Sequence, residues 1–411
     1  MKVFILIAFL FAIGGGAWSI AQSNPFFGSE PKYMGSNSCG TSNCHGNSAA
    51  QAKINILGNE FTRWVQNDAH SRAFKTLTED AGQRIAFHLG IKNPEASPRC
   101  LICHATETNN ATGPRFRIED GIQCETCHGP AEKYLKNHAN KNLTFTERVA
   151  LGMKDLRDPG IRAEFCSTCH QINSKNGVDH ELYGAGHPRL AFELDTFTAI
   201  QPAHWKVDQD YLERKGPYYP AQAWFAGQVL RAKNELDHIL KMQREPAEER
   251  FKSFSIYQCY SCHHDLQAQQ FLHFDYEKKP GRPRLNLISV SNVASALRTL
   301  NPKIGTALAE ASPQNASKII RDLDENDYRA QLVNPAVLKS ILKNILVLKG
   351  YVGFERAEQI AMASSALTSQ LDPERKIFAK QIDEIYKATE SIERFNPILF
   401  QKVVERISQS L

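Results

Sequence analysis

The cysteines of this chain occur in five pairs, and a histidine directly follows the second cysteine of every pair. Two residues separate the cysteines in four pairs, whereas four residues separate them in the first pair. All ten cysteines of the 411-residue chain belong to these pairs. This pattern constrains the fold most strongly, because the three side chains of each motif must reach one bound group together. The motifs are Cys39…Cys44-His45, Cys100…Cys103-His104, Cys124…Cys127-His128, Cys166…Cys169-His170 and Cys259…Cys262-His263.

Two thiols followed at once by a histidine are what covalent haem attachment requires. The thiols add to the two vinyl groups of one porphyrin, and the histidine reaches the iron as its proximal ligand. Zinc ribbons combine two cysteine pairs and need no histidine after each. Disulfides within the pairs would also leave the histidines unexplained. We therefore predict five covalently bound haem c groups, including one at the first motif, where the wider spacing is unusual but geometrically feasible.

The first 21 residues have the layout of a secretory signal peptide. Lys2 precedes the apolar run from Val3 to Ile13, and small residues lead to a cleavage position after Ala21. The alternative is an uncleaved membrane anchor, although the run is shorter than the roughly 20 residues that span a bilayer. We predict a periplasmic or otherwise exported protein, attached to a membrane only if the signal is uncleaved.

The formal net charge of +5 does not indicate a nucleic-acid partner. Each haem carries two propionates, so five haems would offset most of this positive charge. Export would also separate the protein from nucleic acid. We expect the partners to be redox proteins, whose identity the sequence does not reveal.

Beside the motifs, the N-terminal half contains Tyr33-Met34-Gly35-Ser36, Trp64, His70, Ala73 and the stretch from Gly121 to Pro130. In these residues the chain resembles the cytochrome c-554/c-prime family of multihaem electron carriers. The resemblance covers residues 31–140, and the later motifs are similar only in kind. It implies that His70 and His138 are distal haem ligands, because family members have histidines at these places. The chain departs from the family in its wide first motif, its fifth haem motif and its long C-terminal region.

Nine histidines remain after the five motif histidines are set aside, and five six-coordinate irons would need five of them. Beyond His70 and His138, we predict His187 as a distal ligand, because Gly186 and Pro188 form a tight turn that lets backbone approach a porphyrin. His180 and His204 complete the predicted set. His88 and His238 are interpreted as ordinary helix residues, and His264 and His273 are left unassigned.

The sequence predicts a mainly α fold with few strands in two parts after the signal peptide. Residues 31–284 form a pentahaem domain whose haems must share one core, because five independent cores would need far more chain. Residues 285–411 contain neither cysteine nor histidine and form an all-α helical bundle. Helix starts in this bundle are predicted where Asn or Asp precedes Pro, at Asn301-Pro302, Asn334-Pro335, Asp372-Pro373 and Asn396-Pro397.

Three functional questions stay open at this point. An electron carrier would keep every iron six-coordinate, whereas a multihaem oxidoreductase would leave one iron open to a small nitrogen or sulfur compound. The surplus of histidine favours the carrier. The C-terminal helices either cover the haem domain or dock another protein. Assembly into an oligomer, with a histidine crossing between subunits, is a third open alternative.

Overall fold

The computed structural model describes residues 30–51, 56–172, 178–244, 254, 257–263, 285–347 and 352–411. The predicted signal peptide, His264 and His273 lie outside these ranges. The described parts are mainly α-helical, as predicted. Their only backbone pairings of the β type are two isolated bridges, Tyr33 with Thr112 and Tyr257 with Leu285.

Eighteen α-helices occur within the described ranges. In the haem-motif region they are α1 Ser36–Cys39, α2 Glu60–Asn67, α3 Asp80–His88, α4 Pro98–His104, α5 Cys124–His128, α6 Phe145–Ala150, α7 Pro159–His170, α8 His180–Gly184, α9 Leu194–Ile200, α10 Gln209–Lys215 and α11 Pro220–Arg244. In the C-terminal region they are α12 Ile288–Leu300, α13 Pro302–Ala309, α14 Ala316–Asp324, α15 Pro335–Leu346, α16 Phe354–Leu371, α17 Ala379–Ala388 and α18 Pro397–Gln409.

Short helices dominate the first region because the motifs and Gly- or Pro-rich loops interrupt the chain. None of the helices in the described ranges is long and apolar enough to cross a membrane.

Three of the four predicted Asn/Asp-Pro helix starts are confirmed. The side chains of Asn301, Asn334 and Asn396 accept backbone N–H groups at the starts of α13, α15 and α18. The prediction at Asp372-Pro373 is wrong. Asp372 instead follows the end of α16, and its carboxylate accepts the N–H groups of residues 376–378 in the loop before α17. The Asp372 side chain, which was expected to cap a helix, therefore stabilises a turn.

The largest hydrophobic core extends across the predicted boundary at residue 284. The long helix α11 contributes Trp224, Phe225 and Leu236 to the core that the C-terminal helices form. Glu235 on α11 also accepts the N–H groups of Ser289 and Val290 at the start of α12, at 3.1 and 3.0 Å. The C-terminal helices are therefore built around a helix of the haem-motif region.

Replacing Leu236 by Ala tests the role of α11 in this core. Leu236 has no exposed surface, so we expect the substitution to lower the free energy of unfolding by about 2–5 kcal/mol. Leu399 on α18 is 57% exposed, and Leu399→Ala should change it by less than ~0.5 kcal/mol. Urea unfolding followed by far-ultraviolet circular dichroism measures both. Equal effects of the two variants would contradict the shared core.

Candidate haem-binding sites

Helical turns bring together the three side chains of the narrow motifs. In α4 and α7 the two cysteines and the histidine occupy positions i, i+3 and i+4, which lie on one face of a helix. His104, His128 and His170 are the last residues of α4, α5 and α7. None of the ten cysteines forms a disulfide. The thiols are thus available, and each motif presents them together with its histidine.

The wide first motif folds back on itself. Cys44 donates its backbone N–H to the carbonyl of Thr41 at 2.9 Å, and His45 donates to the carbonyl of Cys39 at 3.2 Å. The additional residues are therefore taken up in a turn. His45 remains next to the start of its own motif, as the histidines of the narrow motifs do.

Polar side chains of the third motif fix the chain just before the first motif. The carboxylate of Glu125 accepts the N–H groups of Met34 and Gly35 at 2.8 and 2.7 Å, and it is 1% exposed. Gly35 has a φ of 85°, and a Cβ there would lie 2.4 Å from the carbonyl oxygen of Arg115. Only glycine fits this close approach. These contacts explain why residues 33–36 and the third motif lie together.

Each motif histidine faces one histidine from outside the motifs. The ring centroids of every pair lie 6.0–6.4 Å apart. An iron between two imidazoles, with a metal–nitrogen bond of roughly 2.0 Å on each side, requires a centroid separation of about 6 Å. The pairs are His45–His138, His104–His187, His128–His204, His170–His70 and His263–His180.

Hydrogen bonds at Nδ1 orient several of these rings. Nδ1 of His138 lies 3.0 Å from the carbonyl oxygen of Tyr134, that of His187 lies 2.8 Å from the carbonyl of Pro188, and that of His104 lies 2.8 Å from the carbonyl of Ala73. A histidine whose Nδ1 is bound in this way presents Nε2 to a metal.

Two rings have carboxylate partners instead. Nδ1 of His45 lies 2.9 Å from Glu60, and Nδ1 of His70 lies 2.9 Å from Asp68. These hydrogen bonds raise the pKa of both histidines. Sequence reasoning missed both carboxylates, although Asp68 stands only two residues before His70.

Burial keeps other rings neutral, which is the state that can bind a metal. It lowers the pKa of His128 to about 4, with a smaller contribution from the neighbouring His204. It also lowers the pKa of His170 to about 4, with a contribution from His70. His187 and His204 have pKa values lowered by burial as well. At neutral pH these four rings therefore need not lose a proton before binding iron.

The attachment motifs lie close to one another in two places. Cys39 and Cys124 lie close enough to shift each other's thiol pKa, which places the first motif beside the third. Cys103 and Cys169 likewise shift each other's thiol pKa, which places the second motif beside the fourth. Cys103 Sγ also lies 3.9 Å from the carbonyl of Cys169, and Cys169 Sγ lies 3.7 Å from that of Ile102.

A cavity of about 610 Å³ surrounds the fifth motif. Cys259, Cys262, His263 and its partner His180 line the cavity, and so does His238. Its volume lies within the range of roughly 300–1,000 Å³ that is usual for cofactor and ligand sites. Glu355 and Glu358 of α16 form part of the wall. The C-terminal region therefore contributes to the surroundings of the fifth motif.

Within the described ranges no group of three or more His, Cys, Asp or Glu side chains is arranged to hold a metal ion. This finding gives no support to a zinc ribbon, which needs four protein ligands. A haem iron needs only two protein ligands, because the porphyrin nitrogens supply the other four. Thiols, paired imidazoles and a cavity of suitable size all fit a haem.

The remaining described histidines are arranged differently. His88 at the end of α3 is exposed and its ring contacts that of Phe87. His238 lies on α11 at the cavity of the fifth motif. All ten cysteines and the ten predicted ligand histidines lie within the described residues, and the structure brings the latter together in the five pairs given above.

A family model described as cytochrome c554 and c-prime matches residues 38–129. The chain is 25% identical to the multiheme cytochrome MtrA of Shewanella baltica (strain OS185) over 107 residues, which cover 23% of this chain and 30% of the relative. It is also 25% identical to the histone-lysine N-methyltransferase Su(var)3-9 of Drosophila pseudoobscura pseudoobscura over 180 residues, which cover 43% of this chain and 27% of that protein. The chain thus spans less than a third of either relative. No solved structure matches it.

The family match and the cytochrome relative agree with the cysteine–histidine motifs. Together they support a multihaem cytochrome c with covalently bound haem and a general role in electron transfer. The matched residues include the first three motifs, from Cys39 to His128, and His70. The resemblance seen in the sequence is confirmed over this range.

Proposed function

We propose that the protein is an exported pentahaem cytochrome c that carries electrons between redox proteins, with every iron held between two histidines. The observation that carries this proposal is the set of five ring pairs. Five motifs and five further histidines make up these pairs, and the centroid separations vary by only 0.4 Å. A chance packing of aromatic rings would not use one motif histidine in every pair.

The residues of the chain then have distinct roles. The ten motif cysteines anchor the porphyrins, and the five motif histidines are the proximal ligands. The distal ligands are His138, His187, His204, His70 and His180, in the chain order of the motifs they face. A bound haem supplies an iron that accepts and releases one electron. The protein fixes the orientation of the rings and sets the spacing of the sites.

A carrier is favoured over an enzyme that binds a substrate at iron. Such an enzyme needs an open coordination position on one haem. In this chain a second imidazole stands opposite every motif histidine, so each iron would have its sixth position filled. The contacts between Cys39 and Cys124 and between Cys103 and Cys169 further support closely spaced haems. Short separations are what electron exchange between cofactors requires.

Low-temperature electron paramagnetic resonance of the oxidised protein, matured with its haems, tests the proposal. Two imidazoles make ferric iron low-spin, so we expect no high-spin signal. Carbon monoxide should leave the optical spectrum of the reduced protein unchanged, because no coordination position is open. A high-spin signal from about one-fifth of the iron, with matching carbon monoxide binding, would instead favour an enzyme with one open haem.

A further inference from the structure

The partners of the ring nitrogens differ among the five sites in a way that the proposed function does not require. His45 and His70 are hydrogen-bonded to carboxylates, whereas His104, His138 and His187 face backbone carbonyls. Among the described atoms, Nδ1 of His204 is buried and has no hydrogen-bond partner. Within the described residues, two of the five sites therefore have a carboxylate that is hydrogen-bonded to a predicted ligand.

Both carboxylates are held in place by further contacts. Asp68 also accepts the backbone N–H of His70 at 3.0 Å and the side-chain amide of Gln201 at 3.3 Å. The second oxygen of Glu60 accepts the N–H of Leu57 at 2.8 Å. Within the described residues, the ion pairs of these two carboxylates are made with the histidines alone. Within the described residues no lysine or arginine forms an ion pair with either carboxylate.

A carboxylate at Nδ1 makes an imidazole a stronger donor to a metal, because it draws the N–H proton towards itself. A stronger donor stabilises ferric iron more than ferrous iron, and the negative charge acts in the same direction. The effect grows as the local dielectric constant falls. The side chain of Asp68 is 5% exposed and that of Glu60 is 17% exposed. Both charges therefore act through protein more than through water.

Resting on the proposed bis-histidine ligation, we infer that Asp68 and Glu60 are positioning residues that set the reduction potentials of two particular haems. Asp68 acts through His70 on the haem of the fourth motif, and Glu60 acts through His45 on the haem of the first motif. These two haems have lower potentials than they would with neutral partners.

The test uses the full-length protein with its haems and the variants Asp68→Asn and Glu60→Gln. The amide oxygen of Asn or Gln can still accept the N–H of the ring, so the orientation of the histidine is kept while the charge is lost. Asp120→Asn is the matched control, because it also removes one carboxylate charge, and within the described residues the Asp120 carboxylate accepts from Asn37 and not from a histidine. Redox titration followed optically gives the potentials of the five haems.

We expect Asp68→Asn to favour reduction of one haem by at least tenfold, which is a rise of about 59 mV for a one-electron couple. Glu60→Gln should raise the potential of a different haem, and the double variant should raise two. In Asp120→Asn the equilibrium constant for reduction of each of the five haems should stay within about twofold of its wild-type value. Unchanged potentials in both single variants, or equal changes in the control, would overturn the inference.

A failure of bis-histidine ligation would be recognised separately. In that case the wild-type protein would already show high-spin iron before any carboxylate was replaced. If one variant did not mature with five haems, the other would still decide the inference, because Asp68 and Glu60 belong to different sites. The reduction potential is also a suitable measurement. Replacing a carboxylate that only supported the fold would not raise the potential of one haem alone.

Discussion

Replacing His70 by Ala is expected to convert one of the five haems from low-spin to high-spin iron. The rings of His70 and His170 have centroids 6.0 Å apart, and removal of the first leaves the iron of the fourth motif with one protein ligand. About one-fifth of the iron should then give a high-spin signal, and the reduced protein should bind carbon monoxide at one haem. Added imidazole should restore the low-spin spectrum, because it can take the place of the lost side chain.

His88→Ala is the matched control for this experiment. His88 is exposed, and its recorded ring contact is with Phe87 and not with a motif histidine. This variant should keep the wild-type spectrum and should not bind carbon monoxide. If His70→Ala gave the same spectrum as His88→Ala, His70 would not be a ligand, and the ligand assignment of the fourth site would have to be abandoned.

Replacing both Cys39 and Cys44 by Ser is expected to remove one whole haem. The turn between these residues keeps His45 at the first motif, and the ring of His45 lies 6.2 Å from that of His138. We therefore expect five haems in the wild-type protein and four in the variant, because serine cannot form the thioether bonds. Intact-mass measurement counts the haems directly. The same measurement shows whether residues 1–21 have been removed.

Replacing Cys100 and Cys103 by Ser provides the comparison for the wide motif. This variant should also lose one haem, because its narrow motif has the usual spacing for covalent attachment. Four haems in the wild-type protein, with no further loss in the Cys39 and Cys44 variant, would show that the wide motif does not bind haem. The proposal would then be reduced to a tetrahaem protein.

The sequence alone determined the features that depend on residues close together in the chain. The narrow attachment motifs are local, because two cysteines and a histidine within one helical turn lie on the same side whatever surrounds them. The mainly α character followed from similar local signals. Asn334-Pro335 begins a helix because the Asn side chain accepts an N–H group of the next turn, and such a signal can be read without the fold.

Local signals failed where the surroundings offered a competing use for the same residues. Asp372-Pro373 has the form of a helix start, but the carboxylate binds three N–H groups of a loop instead. The domain boundary at residue 284 rests on the absence of cysteine and histidine beyond it and stays a prediction. Trp224 and Leu236 pack against the C-terminal helices, because apolar burial does not depend on where cysteine and histidine occur in the chain.

Only the tertiary structure decided which histidine stands opposite which motif. The sequence named His70, His138, His180, His187 and His204 as distal ligands, and ligation itself stays a prediction, but no spacing rule could pair His128 with His204. That pairing depends on how distant segments pack. The role inferred for the carboxylates of Asp68 and Glu60 likewise depends on the tertiary structure. A charged side chain near a histidine in sequence is common, and only the folded chain fixes its oxygen 2.9 Å from the ring nitrogen.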